Sequence, residues 1–308
     1  MPVPGSRGVA GLCELFAMSS RLPAGVRFSF REFAAHGGLS GPHADGWGIA
    51  WYEDRDVRVM REPVPAARSA CVRFVEANDL EATLVLSHIR RATRGRVCLA
   101  NTQPFARELA GYMHVFAHNG DLPELDHALV APAGAAFHPV GQTDSEYAFC
   151  TLLETLQAAW KRCAGPPPLD QRLAVIAAFA ERLRRLGPAN FLYADGDALF
   201  AHGHRRRHDD GVRPPGLWML RRRCREPGQY RPDGVAISST TGDQEVVLLA
   251  SVPLSDEGWS PLAEGEVLAL RRGAVVGRLS PLSVPADPAR GAARCSAPGG
   301  VPGRARGQ

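Results

Sequence analysis

Leu84-Val85-Leu86-Ser87-His88-Ile89-Arg90-Arg91-Ala92-Thr93 is the stretch that decides how the chain folds. Residues 84–89 make a continuous apolar run interrupted only by Ser87 and His88, which reads as a strand. The strand ends by placing Arg90 at a sheet edge. Arginine's planar fork of donors binds a carboxylate bidentately. Taken alone, Arg90 reads equally as one half of a structural ion pair.

Strand candidates spread outward from this run in antiparallel-looking sets. Residues 48–52 and 57–61 flank a charged turn at 53–56. Residues 112–117 run into Asn119-Gly120. Residues 191–194 and 198–201 flank Asp195-Gly196, a type I′ hairpin signal. Residues 246–252, 267–271 and 275–279, the last pair turned at Gly273, complete the set. Helices are fewer. Residues 28–36 stop at Gly37-Gly38. Thr143-x-x-Glu146 reads as a capping box, followed by Ala148, Leu152, Leu156 and Ala159 at helical spacing. A second helix runs from about Asp170 to Leu186, with Leu173, Ile176, Ala180 and Leu183 on one face and Gly187-Pro188 as its stop. Pro166-Pro167-Pro168 connects the two. Strands with two central helices, and no alternating βαβ unit, predict an α+β fold of stacked sheets flanked by helices.

Composition bounds the function. A chain of 308 residues, 45% hydrophobic and 22% charged, buries a sizeable core and is ordinary for a globular protein. No apolar run approaches the roughly 20 residues of a membrane helix, and the N-terminus lacks a signal-like segment. The net charge is +4. Arg290, Arg294, Arg304 and Arg306 against Asp287 give the tail +3, and Arg7 adds +1, so residues 13–284 are formally neutral. A neutral body argues against a nucleic-acid surface. Arg205-Arg206-Arg207 followed by Asp209-Asp210 reads as a solvated loop. The seven cysteines are scattered without a Cys-x-x-Cys pair, which suggests free thiols and a cytoplasmic location. His202-x-His204 lacks a third residue at ligand-like spacing and reads as a surface strand end, so no metal is expected. The five tryptophans are dispersed and read as core.

Four features could carry chemistry. Asn119-Gly120 reads either as a hairpin turn or as a donor pair, side-chain amide and glycine N–H, facing a developing oxyanion. Asp144 lies one residue past a helix cap, where it either favours the helix dipole or accepts an ammonium group. Cys13 alone would be a buried thiol. An arginine and an aspartate fitted to the two ends of an amino acid, with an oxyanion pair and a cysteine, together describe capture of glutamine.

At this point the chain resembles the class II, N-terminal-nucleophile glutamine amidotransferases. The resemblance rests on Cys13-Glu14-Leu15-Phe16, Asp45-Gly46-Trp47-Gly48, His88-Ile89-Arg90-Arg91-Ala92-Thr93, Asn101-Thr102-Gln103-Pro104-Phe105, His118-Asn119-Gly120 and Thr143-Asp144-Ser145-Glu146. It covers about residues 13–280 and looks most like the small stand-alone YafJ-type branch. It implies a four-layer αββα sandwich of Ntn-hydrolase type. It implies that Cys13, once first in the mature chain, is the nucleophile, with its own α-amine as base. It further implies that Arg90 and Asp144 bind glutamine, that Asn119 and Gly120 form the oxyanion hole, that Thr93 lines the pocket and that His88 supports the strand. Gln103 and Arg94 stand where relatives commonly have histidines, so the lid of the pocket is expected to differ.

The expected organisation is a disordered or removed leader at 1–12, a type-2 glutamine amidotransferase domain at 13–284 and a disordered basic tail at 285–308. The leader matters, because an amide nitrogen on Cys13 cannot act as a base. Translation starting at Leu12, a cleaved propeptide, and a retained leader in a silent protein are three readings. One lysine against 35 arginines hints at a GC-rich genome, in which alternative start codons are plausible. The expected activity is cofactor-free hydrolysis of glutamine's side-chain amide, with ammonia passing to a separate partner where it is used. The alternatives are hydrolysis of a γ-glutamyl amide metabolite, as in the ergothioneine-pathway branch, and a catalytically silent glutamine-binding protein.

Overall fold

The structure is a computed structural model that describes residues 13–25, 27–78, 80–123, 125, 134–224, 228–230, 237–239 and 244–281. In chain order the elements begin β1 (Glu14–Gly25), α1 (Arg27–Ala35), β2 (Trp47–Glu53), β3 (Asp56–Glu62), α2 (Ala70–Ala77) and β4 (Glu81–Ile89). They continue with β5 (Phe105–Leu109), β6 (Tyr112–Gly120), α3 (Asp144–Trp160), α4 (Leu169–Leu186), β7 (Ala189–Ala194) and β8 (Leu199–His202). The last are β9 (Arg206–His208), β10 (Gly211–Arg213), β11 (Trp218–Cys224), β12 (Gly228–Tyr230), β13 (Ile237–Ser239), β14 (Gln244–Ala250), β15 (Ser260–Pro261), β16 (Val267–Arg271) and β17 (Ala274–Leu279).

Two antiparallel sheets stack face to face. The first runs β15-β11-β14-β1-β4-β2-β3, with β12 and β13 attached to β1; the second runs β17-β16-β8-β7-β6-β5. Alternation along β1 explains the layering. Leu15 and Ala17 point inward to meet Ala117, Leu192 and Leu268 of the second sheet. Phe16 and Met18 point outward and pack with Phe33 of α1 and with Val72 and Val75 of α2. On the far side Phe116, Phe191 and Phe200 pack under Leu152, Leu156, Ile176 and Leu183 of α3 and α4. The result is four layers, αββα, each joined to the next by an apolar seam. Removing one such side chain fully from water contributes about 1.5–3 kcal/mol.

Expected and observed elements agree closely where periodicity is strong. α3 and α4 bury the residues expected of them, and Gly187 ends α4 with its N–H on Leu183 O at 3.2 Å. Other points differ. Only Gly196 has positive φ in the β7–β8 turn, so it is not type I′. Asp195 Oδ1 instead accepts from the backbone N–H groups of Asp197 and Ala198, closing a four-residue loop. The capping box is half-formed: Thr143 Oγ1 accepts from Glu146 N, but the Glu146 carboxylate turns to Gly141 N and Arg107. α2 escapes the apolar-period reading because it is short; Ser69 Oγ caps it by accepting from Val72 N at 3.0 Å. The strand ending near Arg90, β4, lies between β1 and β2, so Arg90 stands at a strand end within the sheet and not at its edge.

Arg206 is buried and opens β9, whereas Arg205 and Arg207 are exposed. The run is therefore not a solvated loop throughout. His202 and His204 are likewise buried, not at a surface. His202 Nδ1 lies 3.0 Å from Glu266 O, and His204 Nδ1 accepts from Ala189 N at 3.3 Å. Among the described residues no group of histidines, cysteines and acids is disposed to hold a metal. No helix among them is long and apolar enough to cross a membrane. Cys13, Cys71, Cys98, Cys150 and Cys163 are free thiols, while the Cys224 side chain and Cys295 lie outside what the structure describes.

Candidate functional site

Cys13 immediately precedes β1, the strand held between β14 and β4 near the middle of the first sheet. Its Sγ lies 3.3 Å from Arg91 O and accepts from Arg91 N at 3.2 Å. Burial pushes the thiol up to about 11; the Arg91 N–H and the Arg90 charge pull it down, and the Asp144 charge pushes it up. A thiol in that state is protonated near neutrality and needs a base to become a nucleophile. Among the described residues no imidazole hydrogen-bonds to it.

Arg90 follows β4 directly. Its backbone is sewn to the Asp45-Gly46 segment, with Arg90 N on Gly46 O at 2.8 Å and Asp45 N on Arg90 O at 3.1 Å. Gly46 has φ +140, and a Cβ there would meet Glu62 O and Thr102 Oγ1 at 3.2 Å, so the position needs glycine. The buried guanidinium donates to the carbonyls of Arg96 (3.1 Å), Arg94 (2.8 Å) and Gly95 (3.2 Å). Three of the five guanidinium N–H donors are thereby fixed to backbone. Thr93 is exposed on the loop that these bonds shape.

His88 lies two residues before Arg90 and shares its face of β4. It is fully buried and neither ring nitrogen has a hydrogen-bond partner. Burial first, and then the charges of Arg90, His118 and His43, push its pKa down to about 3. His88 therefore stays neutral behind the arginine.

Asn119 and Gly120 are the last two residues of β6, paired with Asn190 and Ala189 of β7, and not a turn beyond the strand. The Asn119 carbonyl accepts from Asn190 Nδ2 at 3.1 Å. Its side-chain Nδ2 lies 3.2 Å from Ser251 Oγ, and its Oδ1 is buried without a partner. Asp144 opens α3. Its Oδ2 accepts from Leu122 N at 2.9 Å and its Oδ1 from Ser145 N at 2.8 Å. Ser145 Oγ lies 2.9 Å from His118 Nδ1, which ties the first turn of α3 to β6. Burial pushes the His118 pKa down although Asp144 and Asp121 oppose it. Gln103 grips the His118 backbone at both N–H (2.6 Å) and C=O (3.2 Å), a use of its amide that a single ring nitrogen could not match. Arg94 lies 3.5 Å from Asp121 at the rim.

Cys13, Arg90, Asn119, Gly120 and Asp144 thus gather at one end of the inter-sheet layer, Thr93 lies out on the adjoining loop and His88 lies beneath. Glu14 belongs to the Cys13–Phe16 motif, but its partner Arg206 and the linking Ser251 escaped the sequence as site residues. Glu14 and Arg206 are buried polar residues whose charges influence one another, and Ser251 links β14 to β1 and β6. Ser251 follows an apolar strand, and nothing in its local sequence marks its hydroxyl as part of the site.

The class-II glutamine amidotransferases match the chain over residues 12–293. An Escherichia coli K12 protein described as "Putative glutamine amidotransferase YafJ" is 36% identical over 259 residues, covering 83% of this chain and 96% of that protein. A Haemophilus influenzae "Putative glutamine amidotransferase" is 31% identical over 270 residues, covering 85% of each. Among solved structures, a "predicted glutamine amidotransferase" from Pseudomonas aeruginosa superposes with a TM-score of 0.61 at 33% identity, covering 86% of this chain and 100% of that one. The glutamine phosphoribosylpyrophosphate amidotransferase of B. subtilis shares the fold, with a TM-score of 0.51 at 15% identity over 84% of this chain and 47% of its own.

Proposed function

The chain belongs to the class II glutamine amidotransferase family, and from that premise we propose that it hydrolyses the side-chain amide of glutamine through a thioester on Cys13. The observation that carries this reading is the convergence on one thiol of a buried cation and a buried anion, Arg90 and Asp144. These are the two charges needed to hold the ends of a free amino acid. The remaining donors of Arg90 take the α-carboxylate. The Asp144 carboxylate offers about four acceptor sites, of which backbone N–H groups and Ser145 occupy part, and the rest receives the α-ammonium. Glutamine's amide then lies toward Cys13.

With Cys13 first in the mature chain, its α-amine takes the thiol proton; the ordinary pKa of such an amine is about 7.7–8.0. Sulfur bonds to the amide carbon, and the Asn119 amide and Gly120 N–H steady the oxyanion. The amine returns the proton to the leaving nitrogen as ammonia departs. Water then attacks the γ-glutamyl thioester, releasing glutamate and restoring the thiol. The histidines behind the pocket, His88 and His118, are poor bases, His88 with a pKa of about 3 and His118 with a depressed one. That leaves the α-amine as the base this reading uses.

The test is direct. Protein from its native host is expected to have an intact mass beginning at Cys13, to release glutamate from glutamine, and to gain one adduct on Cys13 from the glutamine-analogue electrophile diazo-oxo-norleucine. Retention of wild-type glutaminase activity in Cys13→Ala overturns the assignment. Comparing glutamine with larger γ-glutamyl amides in the same assay defines the substrate.

A further inference from the structure

We propose that Ser251 is the positioning residue that sets the orientation of the Asn119 amide and its placement beside the nucleophile strand. The proposal rests on the reading of Asn119 as the oxyanion donor.

Ser251 follows β14 by one residue, and Ala250 pairs with Phe16, so Ser251 stands opposite Leu15. Its N–H donates to Leu15 O at 3.0 Å, as an antiparallel ladder requires. The return bond is unusual. Leu15 N donates to the Ser251 hydroxyl at 3.0 Å, while the Ser251 carbonyl accepts from Arg206 Nη1 instead. The side chain thus stands in for its own carbonyl in the ladder. That substitution brings the hydroxyl within 3.2 Å of the Asn119 amide, on the opposite sheet. One serine therefore binds the residue two along from Cys13 and the residue that faces its substrate.

Counting donors and acceptors fixes the sense of the contact. A hydroxyl has one proton and two lone pairs. If Leu15 N and Asn119 Nδ2 both donate to it, its proton has no acceptor, and Asn119 Oδ1 is left buried without a partner. A half-turn of the amide plane gives the hydroxyl proton an acceptor: the Ser251 hydroxyl donates to Oδ1, and Nδ2 takes the buried position that lacks a protein partner, its protons left for an incoming oxyanion. An amide in that sense is an oxyanion donor waiting for substrate. The catalytic orientation is thus the one in which Ser251 donates.

The experiment uses the full mature protein and the pair Ser251→Thr and Ser251→Val, which share a shape and differ by the hydroxyl, beside Ser251→Ala. Removing the hydroxyl is expected to lower kcat for glutamine by about 10–100-fold with KM changed less than about threefold, and Ser251→Thr is expected to restore kcat to within about threefold. The decisive measurement is a double-mutant cycle with Asn119→Ala. In that background Ser251→Ala is expected to lower kcat by less than about threefold, because the amide it orients is gone. Equal losses in both backgrounds, or a Ser251→Val enzyme with wild-type kcat, overturn the proposal. A wild-type protein that neither hydrolyses glutamine nor takes an adduct on Cys13 fails the underlying reading instead, and Ser251 falls with it.

Discussion

The carboxylate of Glu14 and the imidazole of His36 meet at 2.7 Å, one residue downstream of Cys13 and on the outer face of its strand. Burial works against the Glu14 charge, but the His36 hydrogen bond and the charges of His36, His43 and Arg206 outweigh it and hold Glu14 below its ordinary 4.5. Burial likewise disfavours charged His36, and the Glu14 bond and charge outweigh that and hold it above 6.5. Glu14's contribution to stability is present above pH 4.5 and lost as pH falls through its folded value. His36's contribution is present below pH 6.5 and lost as pH rises through its folded value. The pair is complete between those limits. Chemical denaturation of His36→Gln is expected to show a larger loss of stability at pH 6 than at pH 9, and an equal loss at both contradicts the assignment.

Arg90→Lys tests the fork. The three loop carbonyls that arrest the guanidinium span Arg94, Gly95 and Arg96, and a single ammonium cannot serve them and a carboxylate together. Loss of one charge-assisted bond costs about 1.5–3 kcal/mol, so kcat/KM for glutamine is expected to fall by roughly 10–150-fold. Steady-state kinetics with the variant check this; an unchanged kcat/KM rules out the clamp.

Gly120→Ala tests the oxyanion end of β6. An added Cβ would lie 2.0 Å from Pro188 O and 2.6 Å from His118 Nε2, one of them backbone, so the strand end must move. Displacing one oxyanion donor typically costs about 10²–10³ in kcat. That loss, with a lower melting temperature, is the expected result; a variant matching wild type in both places Gly120 outside the site.

Asp195→Ala tests the core at the other end of the sandwich. Arg172 is buried between Trp160 and Phe200 and donates to Asp195 and Asp197 at 2.6 Å each. Arg271 also reaches Asp197. Removing Asp195 leaves a buried guanidinium short of countercharge, which costs about 3–5 kcal/mol. Urea denaturation of Asp195→Ala is expected to show that loss, and a change under 1 kcal/mol would falsify the account of the network as compensating a buried charge.

The elements legible in the sequence are those in which one residue type repeats with a physical period. The seam of Leu173, Ile176, Ala180 and Leu183 identified α4, and the apolar run before Arg90 identified β4. The motif residues drew attention for their chemistry, and the fold brings Cys13, Arg90, Asn119 and Asp144 to one end of the layer. What escaped depended on partners distant in sequence. Arg206 sits in a run of arginines that reads as solvated, yet it is buried because the Ser251 carbonyl and the field of Glu14 receive it. Ser251 lies 236 residues from Leu15 and 132 from Asn119, and no local pattern reports such a contact. The Asp195 turn departed from the type I′ expectation because its carboxylate was already committed to Arg172 and to the loop's own N–H groups.

The layer between the sheets holds Ala17, Ala50, Ala117, Ala194 and Ala201 among its leucines, and β1, which follows Cys13, and β6, which carries Asn119 and Gly120, belong to the two different sheets it joins. On the proposed mechanism the gap between thiol and oxyanion donor is therefore a thickness, set by the bulk of alanines that touch neither. A methyl group added there is expected to act as a shim, widening that gap without touching any atom the proposed mechanism uses.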